Sequence, residues 1–218
     1  MIPRILVITP PSGVANPDCV KLAQSEGLPL GVLLRDPGSA PTAPLHPDHR
    51  LAPLREAALE AGLPVLLSTH PEDAAETAGP ARRAGLSGLQ LRGDPSPVAL
   101  ARARAAWPEA IVGASVHGEP RPLEADYVVF APVFTPRTAS AVQKHAVGVK
   151  PLAAWTAVHP RVLALGGITP QSAPQAVRAG AHGLAGISTF LGETAAVAET
   201  LRALATALTV APDVSPPR

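Results

Sequence analysis

Short apolar runs alternate with longer stretches of helical period along nearly the whole chain. The runs fall at residues 4–9, 30–35, 64–68, 88–91, 111–116, 127–131, 161–165 and 183–187. Gly or Pro bounds them, and each has the length of a buried strand. Between them, Ala- and Leu-rich segments repeat apolar positions with helical spacing, most clearly at 51–61, 97–107, 151–158, 171–179 and 194–208. A strand recurring roughly every 20 to 30 residues, with a helix between, marks repeated βα units. Parallel strands joined by right-handed crossovers, eight times over, close on themselves. The pattern therefore predicts an α/β fold, a single (β/α)8 TIM barrel.

Two connections break the rhythm. Residues 36–50, DPGSAPTAPLHPDHR, are Pro-rich without periodicity and predict a long loop at the barrel mouth. Between the fifth and sixth runs only HGEPRPLEAD intervenes. Pro120 and Pro122 leave room for little more than one helical turn, so a shortened fifth helix is expected. With its prolines at 212, 216 and 217, the stretch 210–218 is expected to be a disordered tail after a barrel domain spanning 1–209.

Composition narrows the partners. A chain of 218 residues, 46% hydrophobic, supports one sizeable core. The formal charge is +1 and the basic residues are scattered, which lacks the broad field that draws nucleic acid. Aromatic residues make up only 3%, so stacking platforms for bases are nearly absent. Cys19 is the lone cysteine and excludes an intrachain disulfide, which reads as a reducing compartment with the cytoplasm as the default. The apolar start before Pro10 is too short for a membrane span or a signal segment. A small neutral or anionic ligand is the partner expected.

Candidate chemistry lies at the ends of the predicted strands. Leu165-Gly166-Gly167-Ile168 closes the seventh and Ala185-Gly186-Ile187-Ser188-Thr189 the eighth. Glycine lets a backbone approach a phosphate closely, and barrels often bind phosphate at these two loops. The plainer alternative is that the glycines only permit tight turns. Ser115 and His117 share one side of the fifth strand, where an imidazole facing the mouth can take and return a proton near neutral pH. The alternative is a histidine bonded to a loop carbonyl. His182, before the eighth strand, belongs to the opposite face and reads as structural. The loop after the sixth strand carries Arg137 and Thr138, suited to an anion or equally to a solvated turn. Arg35, Gln90 and Arg92 are further mouth candidates. No metal-ligand set stands out.

From Gly88 to Gly192 the chain resembles the thiamine phosphate synthase/TenI family. The matching pieces are Gly88-Leu89-Gln90-Leu91, Gly113-Ala114-Ser115-Val116-His117, Ala125-Asp126-Tyr127-Val128 with Pro132-Val133-Phe134, Ala164 through Pro170, and Ala179 through Ser188. In the first half only Leu33-Leu34-Arg35-Asp36 is similar. The resemblance implies thiamine biosynthesis. One branch joins a pyrimidine pyrophosphate to a thiazole phosphate with Mg²⁺; the TenI-like branch converts a thiazole carboxylate phosphate to its aromatic tautomer. The synthase pattern has an Asn-Asp pair after strand three, where this chain reads Leu67-Ser68-Thr69 with no acid before Glu72. Its second acid has only Asp94 as a counterpart, one position early, and its Thr-Lys is here Thr138-Ala139. Hard Mg²⁺ prefers carboxylates, so the TenI-like reading comes first, metal-independent and without a cofactor. It implies His117 as acid/base and a phosphate held by Gly166, Gly167, Gly186, Ile187 and Ser188. A divergent Mg²⁺-dependent synthase and a ligand binder without turnover are the alternatives. Family members are usually dimers, and a homodimer is possible here.

Overall fold

A computed structural model describes residues 1–13, 15–136 and 145–209; the predicted tail lies outside them. The order of elements is β1 (Ile5–Ile8), α1 (Asp18–Glu26), β2 (Leu30–Leu34), α2 (Ala52–Glu60), β3 (Val65–Thr69), α3 (Ala74–Arg83), β4 (Gly88–Leu91), α4 (Pro97–Ala106), β5 (Ile111–Val116), β6 (Tyr127–Phe130), α5 (Val149–Val158), β7 (Val162–Leu165), α6 (Ala173–Arg178), β8 (Gly183–Gly186) and α7 (Thr194–Thr209). The strands form a closed parallel barrel in sequence order, and β1 pairs with β8 from Ile5↔Leu184 to Val7↔Gly186. Each strand agrees with its predicted run to within one residue at either end.

Alternation along the strands divides the apolar residues into two cores. Leu6, Ile8, Leu33, Leu66, Val129, Leu163 and Ala185 fill the barrel with Tyr127. The residues between them, such as Ile5, Val7, Val32, Leu67, Val112 and Ala164, face outward and join the helices in the larger core. On α7 the buried residues Val197, Leu201, Leu204 and Leu208 recur at helical spacing, and this stripe packs where α7 meets α1 and α6. Helices α1 and α3 lacked a clear period in the sequence. Their buried faces are mostly Ala, Cys and Thr, small side chains in place of the Leu that marks α7. No helix among the described residues is long and apolar enough to cross a membrane.

The β5–β6 connection carries no helix at all, so the erosion expected there is complete. Two prolines in ten residues remove the donors that a helical turn would need. Neighbours fill the gap instead. Trp155 of α5 donates its indole N–H to Gly118 O at 2.8 Å, and His159 Nε2 reaches Ala125 O at 3.1 Å.

The Pro-rich segment after β2 is a loop as expected, with one 3₁₀ turn at Ala43–Leu45. Asp36 organises it. Its carboxylate accepts from Arg50 Nη2 at 2.6 Å, Ser39 Oγ at 2.7 Å and His49 Nε2 at 2.9 Å. Arg50 also donates to the carbonyls of Pro10 and Gly13, tying the β1 loop to the β2 loop. Burial pushes the Asp36 carboxyl up, but the hydrogen bonds from Arg50, Ser39 and His49 with the Arg50 charge outweigh it and bring its pKa to about 2. A depressed native pKa stabilises the fold above the unfolded value and is lost as pH falls through the native one. Asp36→Asn is therefore expected to cost about 2 kcal/mol at neutral pH. In thermal melts taken across pH, the gap between the two proteins should be full above about pH 4 and close as pH falls toward about 2.

Candidate active site

A cleft of about 330 Å³ opens at the C-terminal ends of the strands. Its lining continues the inward phase of the strands: Leu33 of β2 and Arg35 just after it, Ser68 of β3, Gln90 of β4 with Arg92 just after it, and Ser115 of β5 with His117 just after it. Val129, Leu165, Ala185 and Ile187 continue the ring from β6 to β8. The cleft is thus polar on its β2–β5 side and apolar with glycine on its β6–β8 side.

On the glycine side, Gly166 and Gly167 have φ of 98° and 61°, a left-handed pair that only glycine enters without strain. Space matters as well. A Cβ on Gly167 would lie 2.5 Å from Thr135 O, and one on Gly166 2.8 Å from Pro132 Cα. The glycines therefore seat the β6 loop against the β7 loop, as the tight-turn alternative requires, and they also bare amides to the cleft. The carbonyls here are engaged: Ser172 Oγ donates to Gly167 O at 3.0 Å and Thr189 Oγ1 to Ile168 O at 2.8 Å. The N–H groups of Gly167, Ile168, Ser188 and Thr189 meet no acceptor among the described residues, and all four residues line the cleft with Gly186 and Ile187. Successive free amides of this kind form a concavity that suits an anion.

Across the cleft, His117 is held by Asp94. The backbone N–H of His117 donates to Asp94 Oδ1 at 2.8 Å, and its ring Nδ1 to Asp94 Oδ2 at 2.9 Å. A carboxylate only accepts, so Nδ1 carries the hydrogen and Nε2 keeps a lone pair in the neutral ring. Asp94 adopts φ 57° to make these bonds. Its own N–H donates to Ser115 O at 2.9 Å, and Arg121 donates to its carbonyl at 3.2 Å. Partial burial pushes the Asp94 carboxyl up, but the two bonds from His117 and the charges of His117 and Arg121 prevail, leaving it below the usual range.

The polar wall continues downward. Gln90 is fully buried and donates Nε2 to Ser115 Oγ at 3.0 Å. Gln90 Oε1, Ser68 Oγ, Arg92 Nε and Tyr127 OH are buried without a partner among the described residues. Gly113 makes room for this cluster, since a Cβ there would lie 2.1 Å from Gln90 Oε1 and 2.6 Å from Tyr127 OH. Burial, aided by the Asp126 charge, raises the Tyr127 phenol and keeps it neutral. Arg35 lines the rim; burial and then the neighbouring Arg92 charge lower its pKa.

Residues 50–190 match a family model described as thiamine monophosphate synthase. The chain belongs to the thiamine monophosphate synthase family. A curated relative from Geobacter sulfurreducens, provisionally named thiamine-phosphate synthase, is 35% identical over 116 residues. That match covers 50% of this chain and 54% of the relative, so the chain spans about half the length of the curated relative it matches. A thiamine phosphate pyrophosphorylase from Pyrococcus furiosus superposes with a TM-score of 0.68 at 22% identity, covering 96% of both chains. The N-(5'-phosphoribosyl)anthranilate isomerase of the same organism gives 0.62 at 10% identity, covering 95% of this chain and 98% of the other. These structural likenesses show the fold.

The structure brings together Arg35, Gln90, Ser115, His117, Gly166, Gly167, Gly186, Ile187 and Ser188 in one cleft. Thr138 and Arg137 lie outside the described residues; Pro136, just before them, lines the cleft. His182 sits before β8, away from the cleft, as expected. Reading the sequence for metal ligands missed the role of Asp94. The signal lay in register: Leu91 pairs with Ala114, and three residues further on the same count sets Asp94 beside His117.

The divalent cation that the synthase branch of this family implies does not fit these donors. Both oxygens of Asp94 are taken by His117. Glu72 is largely solvent-exposed, with His70 at 3.9 Å. Among the described residues, no group of three or more His, Cys, Asp or Glu can hold a metal ion. The mouth offers arginines where the cation would want carboxylates. Gly167→Ala tests the glycine side. A left-handed alanine alone costs about 1–2 kcal/mol, and the Thr135 carbonyl must also move. The variant should melt several degrees lower and bind inorganic phosphate more weakly than the unaltered protein by calorimetry; equal binding would show that the amides do not hold phosphate.

Proposed function

We propose that this chain is a thiazole tautomerase, converting a non-aromatic thiazole carboxylate phosphate into its aromatic tautomer without a metal. One observation carries the reading: an imidazole fixed by a carboxylate stands across a small cleft from a set of free amides. The phosphate lies on the amides of Gly167, Ile168, Ser188 and Thr189, which tethers the ring without burying a charge unpaired. The apolar patch of Val129, Leu165, Ala185 and Ile187 packs one face of the ring. His117 Nε2 then removes a proton from a ring carbon, and the C–H bonding pair passes into the π system. The imidazolium returns that proton at a second carbon, so the atoms balance and no co-reactant enters. Asp94 favours the charged ring between the two transfers and keeps Nε2 as the working nitrogen. The cleft volume, near the lower end of the roughly 300–1,000 Å³ typical of ligand pockets, supports one small ligand rather than two joined substrates.

A second reading is a synthase that joins a pyrimidine pyrophosphate to a thiazole phosphate. The name of the Geobacter relative favours it; the donor set described above speaks against the Mg²⁺ it needs. The ultraviolet spectrum of the thiazole carboxylate phosphate, followed with the protein in EDTA and in Mg²⁺, separates the two. Conversion at the same rate in both supports the tautomerase. Thiamine phosphate formed only in Mg²⁺ from the two synthase substrates would establish the other reading.

His117→Ala is expected to slow conversion by about 10²–10⁴-fold, the usual worth of a general acid/base, while ligand affinity measured by calorimetry stays within about threefold. Asp94→Asn should lower kcat at least tenfold with KM unchanged, because it disturbs the orientation of the ring and not the phosphate anchor. A His117→Ala protein that converts ligand at full rate removes the assignment.

A further inference from the structure

Among the described residues, the arginines that carry ion pairs are Arg50 with Asp36, Arg55 with Glu56, Arg104 with Asp126 and Arg202 with Glu26. Arg35 and Arg92 meet no carboxylate among the described residues, although both line the cleft. Among the described residues, Arg92 Nε is buried with nothing to donate to, and so is the hydroxyl of Ser68. A buried donor left unpaired costs about 1–3 kcal/mol, more when it is charged. Two guanidinium groups facing the same hollow also repel one another, and the Arg92 charge is part of what lowers the pKa of Arg35. An arrangement that is unfavourable when empty is expected where a ligand completes it.

We propose that Arg92, with Arg35 and Ser68, forms a second anion site across the cleft from the free amides, and that its occupant is the carboxylate on the ring of the phosphorylated ligand. The inference rests on the tautomerase reading and deepens it by naming what selects the substrate. Strand geometry sets the level of the site. Arg92 follows Gln90 by two residues on the same inward phase and so stands roughly 6–7 Å nearer the rim. The unpaired Gln90 Oε1, an acceptor, lies below and would repel an anion placed deeper. A ligand that spans the cleft therefore carries its phosphate on the β7–β8 side, its ring over the apolar patch and its carboxylate at the arginines. The planar fork of arginine suits a carboxylate in two-point contact. Arg92 follows β4 and Arg35 follows β2, which made each a mouth candidate in the sequence, and closure of the barrel is what brings the two to one hollow.

Calorimetry with two compounds, the thiazole carboxylate phosphate and the same thiazole phosphate without the carboxylate, tests this. The unaltered protein should prefer the carboxylated compound by about 10–100-fold, the worth of charged hydrogen bonds. Arg92→Met should abolish that preference and leave affinity for the decarboxylated compound within about threefold. Without ligand, Arg92→Met should melt no lower than the unaltered protein, since it removes an unpaired charge rather than a contact. Arg92→Lys, which keeps the charge and loses the fork, should retain part of the preference. Equal affinity of the unaltered protein for both compounds, with conversion intact, overturns this inference alone; binding of neither overturns the tautomerase reading with it. Inorganic pyrophosphate binding more tightly than the carboxylated compound, through Arg92, would assign the site to a leaving group instead and overturn the carboxylate.

Discussion

Closure of the barrel governs everything else in this structure. Once β1 hydrogen-bonds to β8, no strand can slip by one residue without turning its whole apolar set outward. The phase of each strand is then fixed from base to rim. Leu66 points inward, so Ser68 does; Gln90 points inward, so Arg92 does. The chemistry of the mouth is a continuation of the packing beneath it.

That continuity has a cost at the rim. An ordinary barrel layer would be filled with aliphatic side chains, yet here the layer under the mouth holds Gln90, Ser115, Ser68 and the hydroxyl of Tyr127. Several of their polar atoms lack partners among the described residues, and Asp94 takes a positive φ, uncommon outside glycine although Asp enters it more readily than most residues. These departures gather at the cleft and not around the outer core, which is built from Ala, Val and Leu. Stability is supplied by the layer between barrel and helices, and the mouth draws on it.

Much of the fold was legible because a buried strand is a dense, local signal. Runs such as 127–131 and 161–165 announce themselves without any knowledge of their neighbours. Helix α3 was not singled out in the sequence, since its buried face holds only Ala and Thr, with no large aliphatic side chain to mark it, and Pro80 inside it reads as a break. The glycine half of the site was readable for a similar reason: two short motifs follow two consecutive strands. The histidine half was readable only in part. His117 shows itself as a strand-end imidazole, but its partner Asp94 lies 23 residues away. They meet through a register that one chain alone does not display. The Asp36–Arg50 pair was hidden more thoroughly, inside an irregular loop with no period to read.

The missing crossover helix gives the two sides of the mouth different tolerance to changes in chain length. The segment after β2 is long and anchored chiefly through Asp36 and Arg50, so extra residues there bulge into solvent at small entropic cost. The connection leaving β5 has no such slack. Trp155 pins it at Gly118, one residue beyond His117, and no helical end is present to absorb an insertion. Length added between β5 and Gly118 would be taken up by the imidazole itself, so that this brief span is held to a fixed size.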